Sequence, residues 1–174
     1  MLSWLRKSPN RKIAERLHGE IVAAARDPAL YAIYGIPDTF EGRFESLALH
    51  AALVLRQLNG MPPPAPDLAR DLADAIFFHL EATLREMGVG DAAVPKRMKA
   101  FAEAFMGRSA AYDGALRAGG EGLVAALARN VYAGRADAAR LGRFAEALHG
   151  ALAAAPFQSF VEGPVPFPKP LAVA

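Results

Sequence analysis

The sequence predicts an all-α protein: a single compact helical domain of about six to seven helices with a Pro-rich C-terminal tail. Three observations predict it. The chain is rich in Ala, Leu and Arg and poor in β-branched runs, so good helix formers fill its longer segments. Apolar residues recur at spacings of three and four over several turns, whereas strand-type alternation never persists for more than a few residues. Glycine and proline punctuate the chain at intervals that suit helices. A length of 174 residues, 53% of them hydrophobic, is enough for one sizeable core.

The elements follow in order. Residues 1–10 form a basic amphipathic arm in which Leu2, Trp4 and Leu5 stand beside Arg6 and Lys7. The helical domain is expected over 11–155. Arg11 to Arg26 is a first long helix with Ile13, Leu17, Ile21 and Ala24 on one face. Pro28 to Tyr34 is a short helix that Gly35 closes. Pro37 then bars helix at Ile36, and either Asp38 or Thr39 caps the next helix, Thr39 to Asn59, with Asp38 and Glu41 at capping-box spacing. On that helix Arg43, Leu47, His50 and Val54 share a face beside the apolar Phe40, Phe44, Ala51, Leu55 and Leu58. An Arg and a His therefore border an apolar face. Gly60 and the four prolines of Met61–Pro66 make a stiff connector. Asp67 to Met87 carries the stripe Leu68, Leu72, Ile76, Leu80 and Leu84, with Gly88 as its stop. After a loop at Val89–Val94, Pro95 opens a helix that runs through Phe101 and Phe105 to about Leu116. Gly119–Gly120 is a break, and Leu123 to Tyr132 and Ala136 to Ala153 are the last helices. The tail, 156–174, holds five prolines and is expected to contain no regular helix.

The chemistry the chain excludes is informative. There is no cysteine, hence no disulfide framework and no thiolate. The four histidines include no i, i+4 pair and no HExxH, so neither a metal nor a cofactor is expected. The GVGD glycines at Gly88–Asp91 follow a helix and lack P-loop spacing, and Ser46 and Ser109 lack a nucleophile elbow. No enzyme is expected. The N-terminus has no secretory apolar core and no segment is long enough to cross a membrane. The expected location is the cytoplasm, with peripheral contact at the inner face of the cytoplasmic membrane.

Charge is segregated. The net +2 conceals +4 over residues 1–26, −5 over 38–91 and +3 over 92–117. Asp67, Asp71 and Asp74 form an acidic stripe that the positive end of a helix dipole accounts for. Asp38, Arg43, Arg85, Glu86, Asp91, Lys96 and Arg108 cluster around turns. They either tie loops together or rim an apolar groove that takes a partner helix. Lys96, Arg97 and Lys99 begin a helix, where the dipole gives positive charge no help, which favours partner contact. Trp4, Arg6, Lys7, Arg11 and Lys12 suit a membrane surface or ribosomal RNA.

Four motifs carry a resemblance: YGIPDTFEGRFESLALH at Tyr34–His50, LREMGVGD at Leu84–Asp91, VPK at Val94–Lys96 and FMGRSAAY at Phe105–Tyr112. In this order the chain resembles the ubiquinol–cytochrome c chaperone family, assembly factors for cytochrome b of the bc1 complex. The likeness spans roughly Tyr31 to Leu116, about half the chain. It implies a helical, non-enzymatic protein whose client is newly made cytochrome b, acting near the ribosomal tunnel exit and often accompanied by a small helical partner protein. It also implies that Asp38, Arg43 and His50, then Arg85, Glu86 and Asp91, then Lys96, Arg108 and Tyr112 belong to the family's signatures. One departure stands out: Phe78–Glu81 reads FHLE, with His79 where related chains tend to carry an acid. The lack of a mitochondrial targeting segment fits a bacterial form. The alternative reading is a helical RNA- or ribosome-binding module with no dedicated membrane-protein client. It draws on the basic N-terminus but lacks interleaved aromatic and basic residues.

Overall fold

A computed structural model describes residues 10–173, in which nine helical segments occur: α1 (Arg11–Ala25), α2 (Pro28–Ala32), α3 (Phe40–Gly60), α4 (Ala65–Glu86), α5 (Val94–Arg117), α6 (Glu121–Val131), α7 (Ala139–Ala154), α8 (Phe157–Val161) and α9 (Pro170–Val173). Six of them are long, and no strand forms among the described residues. The all-α expectation holds. None of these helices is long and apolar enough to cross a membrane.

Helix α3 is the axis of the molecule. It packs against α1, α4, α5, α6 and α7, and from Ala48 to Leu55 every residue is buried. The reason is in its sequence, where ALHAALVL offers no polar side except His50. An all-round apolar helix must be covered on every side. The other long helices show one-sided stripes: Leu17 and Ile21 on α1, Leu68, Leu72 and Leu84 on α4, Leu141, Leu148 and Leu152 on α7.

Entry into α3 depends on the turn before it. Gly35 takes φ +71°, which releases the chain from α2. Thr39 is the cap: its Oγ1 accepts the Gly42 N–H at 3.1 Å. Asp38 does not cap but pairs with Arg43. The turn folds tightly over the first helical turn, so that a Cβ on Gly42 would lie 1.9 Å from the Pro37 carbonyl oxygen. Only glycine fits there.

Among the differences from expectation, three have a clear local reason. α4 starts at Ala65 and not Asp67, because Pro66 sits in its first turn, where a missing N–H costs nothing. α7 starts at Ala139, because Gly134 (φ +72°) prolongs the turn and Asp137 accepts the Ala139 N–H at 2.9 Å. The tail contains two short helices, which corrects the expectation of none: Pro156 caps α8 and Pro170 opens α9, the positions proline tolerates.

The tail also packs on the bundle. Phe160 is fully buried, Val165 and Pro170 are buried, and partners on α1 fix the backbone between them. Arg16 donates to the carbonyls of Phe160 and Gly163, and Glu20 accepts the Val165 N–H at 2.7 Å. Tyr34 donates its hydroxyl to the Pro170 carbonyl at 2.8 Å. Gly42→Ala should lower stability by about 2 kcal/mol through overpacking against Pro37, read as a lower thermal midpoint with the folded helical signal retained.

Candidate functional site

A groove opens where α1, the start of α3 and the second half of α4 diverge. Its volume is about 640 Å³. Val22 and Ala25 of α1, Phe40, Phe44 and Leu47 of α3, and Ile76, Leu80 and Met87 of α4 give it an apolar lining. Phe40, Phe44 and Leu47 are only half-buried, unlike the apolar residues of α3 from Ala48 to Leu55, and Met87 is 55% exposed. Arg26, Asp38, Arg43 and Glu86 stand around it, and His18 and His79 line it between α1 and α4.

The aromatic floor is braced from behind. Phe101 of α5 contacts Phe40 and Phe44 with ring centroids 5.7 and 4.9 Å apart. Arg108 lies with its guanidinium carbon 5.6 Å from the Phe44 ring centre and grips buried Glu45 with two hydrogen bonds. This cation–π contact and bidentate pair hold α3 and α5 in register beneath the groove. The carbonyl of Ala25, at the end of α1, accepts the hydroxyls of Tyr31 and Ser46, both at 2.8 Å, so the groove's α1 wall is pinned to α2 and α3. The rim is looser. The Arg43–Asp38 pair closes at 2.7 Å with both side chains more than half exposed, an arrangement that adds little stability and can re-pair.

The structure distributes the expected site residues unevenly. Asp38, Arg43 and Glu86 line the groove. Arg85 and Asp91 are exposed but bind one another, and Arg85 also holds Glu81 at 2.9 Å, tying the end of α4 to the following loop. Lys96, Arg97 and Lys99 are exposed at the start of α5 and line no groove described here; Lys99 approaches Glu103 at 3.8 Å. Arg11 and Lys12 are exposed at the start of α1. Trp4, Arg6 and Lys7 lie outside the described residues.

Three placements correct the sequence reading. His50 does not border a groove: it is 1% exposed, because the residues flanking it on α3 are covered on every side. Its Nδ1–H donates to the Ser46 carbonyl at 2.8 Å, and Phe144 and Phe167 flank its ring. Burial lowers its pKa from 6.5 to about 4. Tyr112 is 1% exposed, and burial pushes its hydroxyl up to about 12. Arg108 is a tie between helices and not a rim residue, since Glu45 claims it.

Sequence spacing also missed a cluster. Glu15 and His18 of α1 meet His79 of α4, with His79 Nε2 2.7 Å from Glu15 Oε2 and the two imidazoles stacked at 4.2 Å. A search for i, i+4 pairs cannot find ligands contributed by two helices; the only local signal was the i, i+3 spacing of Glu15 and His18. A second cleft, about 600 Å³, lies between the end of α3 and α5, where Met106 is exposed and Arg56 binds Asp113 at 2.8 Å.

Residues 32–167 match the family described as Ubiquinol-cytochrome C chaperone. The chain belongs to that family. The crystal structure of the Cbp3 homolog from Brucella abortus superposes with a TM-score of 0.85 at 37% identity, covering 95% of this chain and 93% of that one. No curated protein matched. The ubiquinol–cytochrome c chaperone match runs well past Leu116, where the sequence motifs stop, and takes in α6, α7 and the docked tail as far as Phe167. Membership implies a non-enzymatic, escorting role, and a groove with a braced floor and an exchangeable rim suits one.

Two outcomes follow from the geometry. Arg108→Ala strands the buried Glu45 carboxylate and should cost about 3 kcal/mol in denaturant melts, with a smaller added loss for Glu45→Ala in the same chain. Because the folded pKa of His50 lies near 4 and the unfolded value near 6.5, the unfolded chain binds the extra proton between those values. Stability contributed by His50 is full above about pH 6.5 and is lost as pH falls toward 4. Between pH 7 and pH 5 the loss should be roughly 2 kcal/mol, and His50→Gln should flatten that slope whatever it does to absolute stability.

Proposed function

We propose that this chaperone binds newly made cytochrome b and promotes assembly of the ubiquinol–cytochrome c reductase (bc1) complex, with an apolar client segment seated in the groove between α1, α3 and α4. The observation that carries the reading is the groove itself: half-exposed Phe40, Phe44 and Leu47 and exposed Met87 line one concave surface beside buried Ile76 and Leu80. Cytochrome b segments are apolar and aggregate in water. A receiving groove needs apolar area, adaptable side chains and a charged border that keeps the empty protein from self-association. Phe40, Phe44, Leu47 and Leu80 supply the first, Met87 the second, and Asp38, Arg43 and Glu86 the third.

The exposed cations at the start of α5, Lys96, Arg97 and Lys99, together with Arg11 and Lys12 of α1, suit phosphate contact near the ribosomal tunnel exit. The cleft beside Met106 has room for a few side chains from one turn of a partner helix.

A photo-crosslinking residue in place of Met87 should capture cytochrome b from a membrane-containing lysate. Met87→Glu should reduce that recovery severalfold while changing stability by no more than about 0.5 kcal/mol, because the position is exposed. Loss of the gene should lower cytochrome b and assembled bc1 complex and spare other respiratory complexes. Normal cytochrome b in the deletion strain, or capture of ribosomes without cytochrome b, would favour the RNA-binding alternative instead.

A further inference from the structure

We propose that Glu15, His18 and His79 form a binding site for a divalent transition metal of the zinc class, which clips α1 to α4 beside the groove. The three ligand atoms lie within 4.8 Å of one another. Glu15 and His18 are one turn apart on the same face of α1, the i, i+3 spacing by which helical bundles present a carboxylate and an imidazole inward together. His79 comes from α4 opposite them, with its Nε2 already 2.7 Å from the Glu15 carboxylate.

The distances suit a four-coordinate ion. Zinc bonds to imidazole nitrogen and carboxylate oxygen are about 2.0–2.2 Å long, which places neighbouring ligand atoms about 3.3 Å apart. Glu15 and His79 are inside that separation, and the whole set needs only side-chain adjustment to reach it. The His18 and His79 rings are stacked nearly parallel, 7° apart with centroids 4.2 Å apart, so as they stand they cannot both hold one ion in their planes. Turning one ring about its soft second side-chain torsion makes them converge, with no movement of the helices.

Two imidazole nitrogens and one carboxylate oxygen are a borderline donor set that suits zinc and its neighbours better than magnesium or calcium. The fourth position belongs to water. Access exists, since the Glu15 and His79 side chains are 37% and 38% exposed and both histidines line the groove. An ion here would replace a part-exposed carboxylate–imidazole contact, worth little by itself, with bonds that span two helices. It would thereby set the separation of α1 and α4, two walls of the groove.

The test is a calorimetric titration of zinc chloride into the purified full chain near pH 7.5, with cobalt as an optical substitute. One equivalent should bind, and cobalt should develop the visible bands of a four-coordinate site. His18→Gln and His79→Gln should each weaken zinc binding by about a hundredfold or more, at least the loss seen when a ligand's supporting partner is removed. His149→Gln, outside the cluster, should bind as wild type does. Circular dichroism accompanies each variant, and Glu15→Gln replaces any that does not fold. Zinc should raise the thermal midpoint of the wild-type chain but not of His79→Gln. No stoichiometric binding to the wild-type chain, unchanged affinity in His18→Gln, or loss in His149→Gln would overturn the site. Since no client is present, a negative result leaves the groove reading untouched.

Discussion

The structure turns on the burial of α3. Where α3 is covered by its five neighbours its polar groups are buried, so Glu45, Ser46 and His50 each need a partner from a neighbour or from the helix's own backbone. Glu45 is matched by the two-pronged grip of Arg108 from α5. Ser46 donates to the last carbonyl of α1, and His50 turns back onto the Ser46 carbonyl. Each match has a different directional geometry. Together they define the rotation of α3, where a uniformly apolar rod would permit several.

That constraint also produces the groove. The Gly42–Pro37 contact and the Thr39 cap set the angle at which the chain enters α3. Its first two turns then stand partly clear of α1 and α4, leaving Phe40, Phe44 and Leu47 half-covered. These rings would be an aggregation hazard if mobile. Phe101 and Arg108 hold them from the α5 side, so apolar area is presented on a rigid floor. A preformed floor loses less conformational freedom on binding than a collapsing one.

The motifs shared with the ubiquinol–cytochrome c chaperone family show a division of labour in this molecule. Within the motif stretches, Gly42, Arg108 and Tyr112 serve the scaffold. Asp38, Arg43 and Glu86 stand at the groove, and the cations at the start of α5 face solvent elsewhere. A motif that matches a family thus mixes residues that build the site with residues that border it, and only their burial separates the two.

The sequence alone determined the helices from α1 to α7, because a 3.6-residue stripe or a Gly35 or Gly88 stop acts within a few residues and needs no tertiary partner. It also carried the family motifs, whose order is a property of the chain. What it could not determine was which side of a helix ends up covered. Arg43 and His50 read alike as groove-edge residues on α3, yet Arg43 is exposed and His50 is buried, since that depends on how many helices surround each turn. The prolines of the tail read as a bar to regular helix, but α8 and α9 form there, and Phe160 and Val165 find a docking face on α1 that exists only once the bundle is assembled. The meeting of Glu15 and His18 with His79 was likewise a decision of tertiary structure: a pairing across 64 residues has no local spacing to announce it, and only the packing of α1 against α4 brings those side chains within reach.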